Sequence, residues 1–290
     1  MSFLHFTTQQ LQGGGKYSTK CKIGNWYEDM ELDEIKYKDY LKKKEEGELV
    51  VTSKEAKYER ILKRLTLDSF PIENNRPILT TENFTMFQNL KTQGFLVADT
   101  DDKNPNYNFA ISITTNPKMN FACPRSMLQI EKYDSRDKER RIRYGDKVCF
   151  TSHSLLYSEK LFLHSQLTST LSYSRFSRNQ EVLFNSTKGY STCWVIEHVD
   201  PVLRYSTEGQ FIYADEPFII RHCATGRLLA SDLVDYNNDY GREYEVCCFN
   251  FMSLNKYQIL KSEKEGNVKV DTKIQVELEQ NIWRVVDKLD

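Results

Sequence analysis

The chain has no run approaching the roughly 18 consecutive apolar residues that a membrane-spanning helix needs. It is therefore not expected to cross a bilayer as a helix. It also has almost no net charge: 40 basic side chains against 41 acidic ones leave −1, which provides no global attraction to nucleic acid or to anionic lipid. The start, Met1 to Gly15, lacks the basic flank and apolar stretch of a secretory leader, and a cytosolic or cytosol-continuous location is the resulting expectation. Cys-x-x-Cys pairs are missing as well. The seven cysteines are odd in number and mostly sit inside apolar runs (Cys149, Cys193, Cys223, Cys247), where a reduced thiol behaves as a small hydrophobe. His222-Cys223 and Cys247-Cys248 do not read as a metal site, because neighbours on a strand point to opposite faces. No metal or cofactor is expected.

Catalytic phrases are equally scarce. The five histidines show no His-Glu-x-x-His, and no serine stands in a nucleophile elbow. Gly13-Gly14-Gly15-Lys16 is only superficially a phosphate loop: Gln10 stands where the first Gly belongs, Tyr17 where Ser or Thr belongs, and no apolar strand precedes it. The expectation is a protein that is not an enzyme.

What is present is a phrase that occurs twice. Gly145-Asp146-Lys147-Val148-Cys149-Phe150 leads through Leu161-Phe162-Leu163-His164 and Gln180-Glu181-Val182-Leu183-Phe184 to Cys193-Trp194-Val195-Ile196. Glu216-Pro217-Phe218-Ile219-Ile220-Arg221 leads through Leu228-Leu229-Ala230-Ser231 and Tyr244-Glu245-Val246-Cys247-Cys248 to Ile282-Trp283-Arg284-Val285. A worn copy precedes them, with Gly94-Phe95-Leu96-Val97 as its expected first strand, Phe109 to Ile113 as a middle strand and Met127 to Ile130 at the tryptophan position. Units of this kind bury their apolar faces only by stacking on their copies. Three four-stranded units predict a mainly β fold, a β-trefoil-like closed barrel, over residues 88–290. Trp194 and Trp283 should be equivalent, with Val148, Val182, Ile219 and Val246 buried.

Residues 22–87 read differently, as a helical segment behind a flexible tail at 1–21. Tyr37, Tyr40 and Leu41 form a helical stripe that ends at Gly47, and Tyr58, Ile61, Leu62 and Leu65 form a second on a helix that Ser53 is expected to cap. The second helix carries the basic residues Lys57, Arg60, Lys63 and Arg64, and Arg140, Arg141 and Arg143 close a charged loop between barrel copies. These seven are candidate contacts to an acidic protein surface; charges simply facing water are the plain alternative. The segment Ile23-Gly24-Asn25-Trp26 adds an aromatic anchor beside a flexible turn, able to dock on a partner or on the barrel.

Several phrases resemble a known family. Lys22 to Trp26 followed by Glu28-Asp29 and Lys38-Asp39-Tyr40-Leu41 is similar to the amino-terminal signature of the cilia- and flagella-associated protein 161 family. Arg143-Tyr144-Gly145, Gln180-Glu181-Val182, Cys193-Trp194, Asp200-Pro201, Glu208-Gly209, Ile219 to Cys223 with Thr225, and Tyr240 to Glu243 with Glu245-Val246 look like its later phrases. The resemblance implies a structural microtubule inner protein in the cytoskeleton of motile cilia, bound to α/β-tubulin and to other inner proteins in the doublet lumen, in the A-tubule. It departs from the family's pattern in the first copy, which lacks a Gly-Asp-Lys-Val box, and in the segment from Asn250 to Gln280. A carbohydrate-binding trefoil module is the alternative from another class.

Overall fold

The computed structural model describes residues 26–66, 78–103 and 110–286, apart from positions 120, 135, 138, 155, 158, 171, 254, 255 and 267–275. By the density of its contacts the chain divides into Met1–Leu62 and Lys63–Asp290.

Two helices occupy the first part. Helix α1 (Trp26–Glu45) is built largely from strong helix formers and carries ion pairs along its own surface, Glu34 with Lys38, Asp39 with Lys43 and Lys42 with Glu46. Lys42, Lys43 and Lys44 in its last turn face the negative end of the helix dipole. Gly47 adopts φ 72°, and the N–H of Glu48 donates to the carbonyl of Lys43 at 2.8 Å, closing the helix as its sequence position predicts. Helix α2 (Val50–Arg64) begins earlier than expected. Ser53 is not its cap: the Ser53 N–H already donates to the carbonyl of Leu49, an intrahelical bond. The four-residue link after α1 leaves the backbone ready to coil at Val50, and the Thr52 hydroxyl donates to the carbonyls of Gly47 and Leu49.

The remainder is mainly β. Twelve strands are seen among the described residues: β1 (Phe84–Asn89), β2 (Phe95–Lys103), β3 (Ala110–Asn116), β4 (Leu128–Lys132), β5 (Lys147–Ser152), β6 (Phe162–Ser165), β7 (Gln180–Asn185), β8 (Trp194–His198), β9 (Phe218–His222), β10 (Leu229–Asn238), β11 (Gly241–Cys248) and β12 (Ile282–Val286). All pairings are antiparallel. Six strands make a circuit in which β1 pairs with β4, β4 with β5, β5 with β8, β8 with β9, β9 with β12, and β12 with β1 again. The other six are the hairpins β2–β3, β6–β7 and β10–β11, which meet through pairings of β3, β7 and β11 with one another.

The register reveals the repeat. Val148 stands opposite Trp194, Phe218 opposite Trp283 and Thr85 opposite Leu128. The Trp194 indole donates to the carbonyl of Leu163 at 2.9 Å, and the Trp283 indole to the carbonyl of Leu229 at 3.0 Å. The two tryptophans are therefore equivalent, each bonded to the second strand of its copy. Two residues further along the first strands, Phe87, Phe150 and Ile220 enter one core, with the Phe87 and Phe150 rings edge to face at 5.3 Å. Val148, Val182, Ile219 and Val246 are buried as expected.

The worn first copy is corrected by one strand. Its first strand is β1, beginning at Phe84 ahead of the expected boundary at 88, and Gly94-Phe95-Leu96-Val97 leads into the second strand. Buried amides hid β1 from a reading by hydrophobic alternation. Gln88 and Asn89 are satisfied by partners distant in sequence: Asn89 donates to the carbonyl of Gln280 at 2.9 Å, and Gln88 accepts from Arg284 at 2.9 Å.

Beside the hairpins lies a buried charge. Glu243 and Arg125 are both fully buried and paired at 2.8 Å; the carboxylate also accepts from Thr114, Asn116 and Asn238, and the guanidinium lies 3.5 Å over the Tyr240 ring. These partners come from the first and third copies, so the network ties the two together.

Candidate docking surfaces

Helix α2 carries the four candidate cations Lys57, Arg60, Lys63 and Arg64. Arg60 and Lys63 are exposed, Lys57 and Arg64 half-buried, and the Arg60 Nε donates to the carbonyl of Ala56 within the helix at 3.2 Å. The apolar side chains are the more unusual feature. Val50, Val51, Tyr58 and Leu62 on α2, and Met30, Ile35, Tyr37 and Tyr40 on α1, are all exposed. Ile23, Gly24 and Asn25 lie outside the described residues, as does the side chain of Trp26, whose backbone opens α1.

Two of the loop arginines are placed by short bridges outside the named strands. Arg143 bridges Phe211, and Arg141 bridges Thr80. Arg140 is exposed and pairs with Glu82 at 2.8 Å. Arg143 pairs with Glu139 at 2.8 Å, a hydrogen bond that holds its guanidinium more firmly charged. Arg141 and Arg143 both lie over the Phe211 ring, at 5.3 and 4.6 Å from its centroid. Arg140 and Arg143 are thus already neutralised within the chain, and a partner would meet Arg141 with fewer competing carboxylates.

Phe211 also lines a cleft of about 990 Å³ that sequence reading did not find. Tyr144, Tyr213, Pro201, Pro217 and Val202 form its apolar wall, with Asp200, Glu216 and Gln210 as polar groups. Tyr144 is set there by two backbone bonds, its N–H donating to Gln210 and its carbonyl accepting from Gly209, both at 2.9 Å. Burial, with Glu216 nearby, pushes its phenol up to about 12. The next residue must be glycine: Gly145 has φ 88°, and a Cβ there would stand 2.9 Å from Glu208 Cγ. The available signal was the pair Asp200-Pro201 and Glu216-Pro217, two proline breaks at the ends of neighbouring strands.

A family model described as the Cilia- and flagella-associated protein 161-like domain matches residues 108–270, more than half of the chain. The chain belongs to this family. Cilia- and flagella-associated protein 161 of Mus musculus is 23% identical over 265 residues, covering 85% of this chain and 86% of that one. The protein of the same name from Danio rerio is 24% identical, covering 83% and 84%. The matched segment contains the loop arginines and the cleft except Val276, whereas α1 and α2 lie outside it. Among solved structures, an SDF2-like protein of Arabidopsis thaliana superposes with TM-score 0.50 at 17% identity, over 72% of this chain and 95% of that one. The protein O-mannosyltransferase Pmt1-Pmt2 complex of S. cerevisiae, solved with its sugar donor, gives TM-score 0.51 at 18% identity over 75% of this chain but 26% of that one. These two likenesses concern the fold.

Proposed function

We propose that this chain is a non-enzymatic structural protein of the ciliary axoneme. In this reading it is a microtubule inner protein that binds α/β-tubulin and neighbouring inner proteins in the lumen of doublet microtubules, in the A-tubule, and stiffens the axoneme for motility. The observation that carries the reading is family membership over most of the chain, since the relatives are named for cilia and flagella. The strand circuit and its three hairpins are read as barrel and cap of a β-trefoil, supported by the register repeat of Trp194 and Trp283 and the likeness to the SDF2-like structure. A barrel without free edges makes a rigid block. The exposed apolar residues of α1 and α2, together with the basic face of α2 and the Arg141 rim, supply several separate attachment points. The test is fractionation of motile cilia bearing a tagged chain. The chain should stay with demembranated axonemes through high salt and leave only when doublets are disassembled; release with the soluble matrix would overturn the proposal.

A second reading has the cleft behind it. Aromatic rings of Tyr144, Phe211 and Tyr213 beside Gln210 and Asp200 make a surface on which a sugar could stack and hydrogen-bond. A glycan array separates the two: selective binding lost in Tyr213→Ala favours the carbohydrate module, and an empty array favours the scaffold.

A further inference from the structure

The described cysteines are not spread evenly. Cys149 on β5, Cys193 just before β8 and Cys223 just after β9 fall in a row. Val148 stands opposite Trp194 and Trp194 opposite His222, so the next positions place Cys149 beside Cys193 and Cys193 beside Cys223. Since Val148 and Trp194 point into the core, the three thiols share the opposite face. Cys149 contacts the Thr192 hydroxyl at 3.9 Å. Cys193 instead directs its thiol at the sulfur of Cys223, 3.0 Å away.

The backbone suits a bond between these two. The Cys223 N–H donates to the Cys193 carbonyl at 3.0 Å while the Cys193 N–H turns to the Tyr190 carbonyl, one half of a hydrogen-bonded antiparallel pair, in which Cα atoms are about 5.5 Å apart. That separation lies at the centre of the range that disulfides span. Access is unequal: Cys193 is fully buried, while Cys223 is partly exposed. Burial, with the Cys223 contact adding to it, keeps the Cys193 thiol protonated.

We propose that Cys193 and Cys223 form a reversible oxidation site that takes hydroperoxides as its oxidant. The partly exposed Cys223 sulfur attacks the peroxide O–O bond; the sulfur is oxidised to the sulfenic acid, and the other oxygen leaves as water or alcohol with the proton that the Cys223 thiol gives up. Cys193 sulfur then attacks Cys223 sulfur, the S–O bond breaks, and hydroxide leaves as water with the Cys193 proton. Two thiols have then been oxidised to one disulfide by one peroxide, and a dithiol reductant returns both. The closed loop contains residues 194–222, including the cleft-lining His198, Asp200, Phe211, Tyr213 and Glu216. Oxidation thus ties down the segment that builds most of the cleft, whatever the cleft or the axonemal role turns out to bind.

The experiment treats the reduced full-length chain with hydrogen peroxide, blocks remaining thiols by alkylation, and maps the unreduced digest by mass spectrometry. The expected result is one linked pair, Cys193 with Cys223, with two of the seven thiols lost and both restored by dithiothreitol. Cys223→Ser should abolish the link and Cys149→Ser should leave it. The melting temperature should be higher for oxidised than for reduced chain, with no difference in Cys223→Ser. A Cys149–Cys193 link, over-oxidation of Cys223 without a link, or an untouched pair would overturn the proposal. If Cys223→Ser does not fold, brief alkylation of the native chain at Cys223 before peroxide gives the same readout.

Discussion

In the β region Trp194, Trp283, Phe87 and Phe150 are buried to 1% exposure or less, whereas on the helices Ile35, Tyr37, Val50 and Tyr58 are 60–68% exposed. The charges differ in the same way. Arg125 and Glu243 are sealed together in the β region, while the helix ion pairs lie in water between residues of one helix. An interior pair fails badly when broken, because the remaining charge is stranded; an exposed pair contributes roughly 0–1 kcal/mol. The β region therefore carries its stability within itself. The helices leave apolar surface that a second molecule could bury.

Breaking the β side should have the largest effects. Trp194→Ala or Trp283→Ala should lower unfolding free energy by about 3–5 kcal/mol, read by urea denaturation, and the similarity of the two losses tests the repeat itself. Glu243→Ala should cost a comparable amount, about 3–5 kcal/mol, and Asp in its place should not recover it, since the shorter side chain withdraws from Thr114 and Asn116. A loss below about 1 kcal/mol would mean that the network does not join the copies.

Acid should also act on the β side. Burial lowers His164 from 6.5 to about 4 and lowers His222 as well. A folded value below the unfolded one means that the unfolded chain binds the extra proton. The stability is present above pH 6.5 and is lost as pH falls through the folded value of about 4. His164→Gln should flatten the stability curve in that window, and an unchanged slope would contradict the assignment.

Gly145→Ala probes a local constraint, with an expected loss of about 1–2 kcal/mol from the positive φ and the Glu208 contact. Smallest of all should be the joint charge reversal of Arg60, Lys63 and Arg64, within about 0.5 kcal/mol of the parent in denaturation. The same triple variant should leave axonemes in high salt that the parent withstands, whereas each single reversal should do little. A large stability loss together with unchanged retention would reverse the comparison.

Legibility in the sequence tracked how local the deciding contacts are. Strands whose apolar residues recur in order, such as Lys147–Ser152 and Phe218–His222, were readable, and so were the tryptophans that close their copies. Strand β1 was not, because its buried Gln88 and Asn89 depend on Arg284 and Gln280, almost two hundred residues away. The Gly47 stop was legible from local chemistry, while the start of α2 was misplaced because Ser53 looks like a cap and is an ordinary helical residue. The cleft escaped for a topological reason: Tyr144, Phe211 and Glu216 converge only once β5, β8 and β9 are paired.

A side-chain-resolving map of axonemal doublets that contain this chain would decide between these outcomes. The β region should lie on the inner wall, with Ile35, Tyr37, Val50 and Tyr58 covered by tubulin or another inner protein. Helices whose apolar residues face open lumen, or a chain absent from the doublet interior, would contradict that placement.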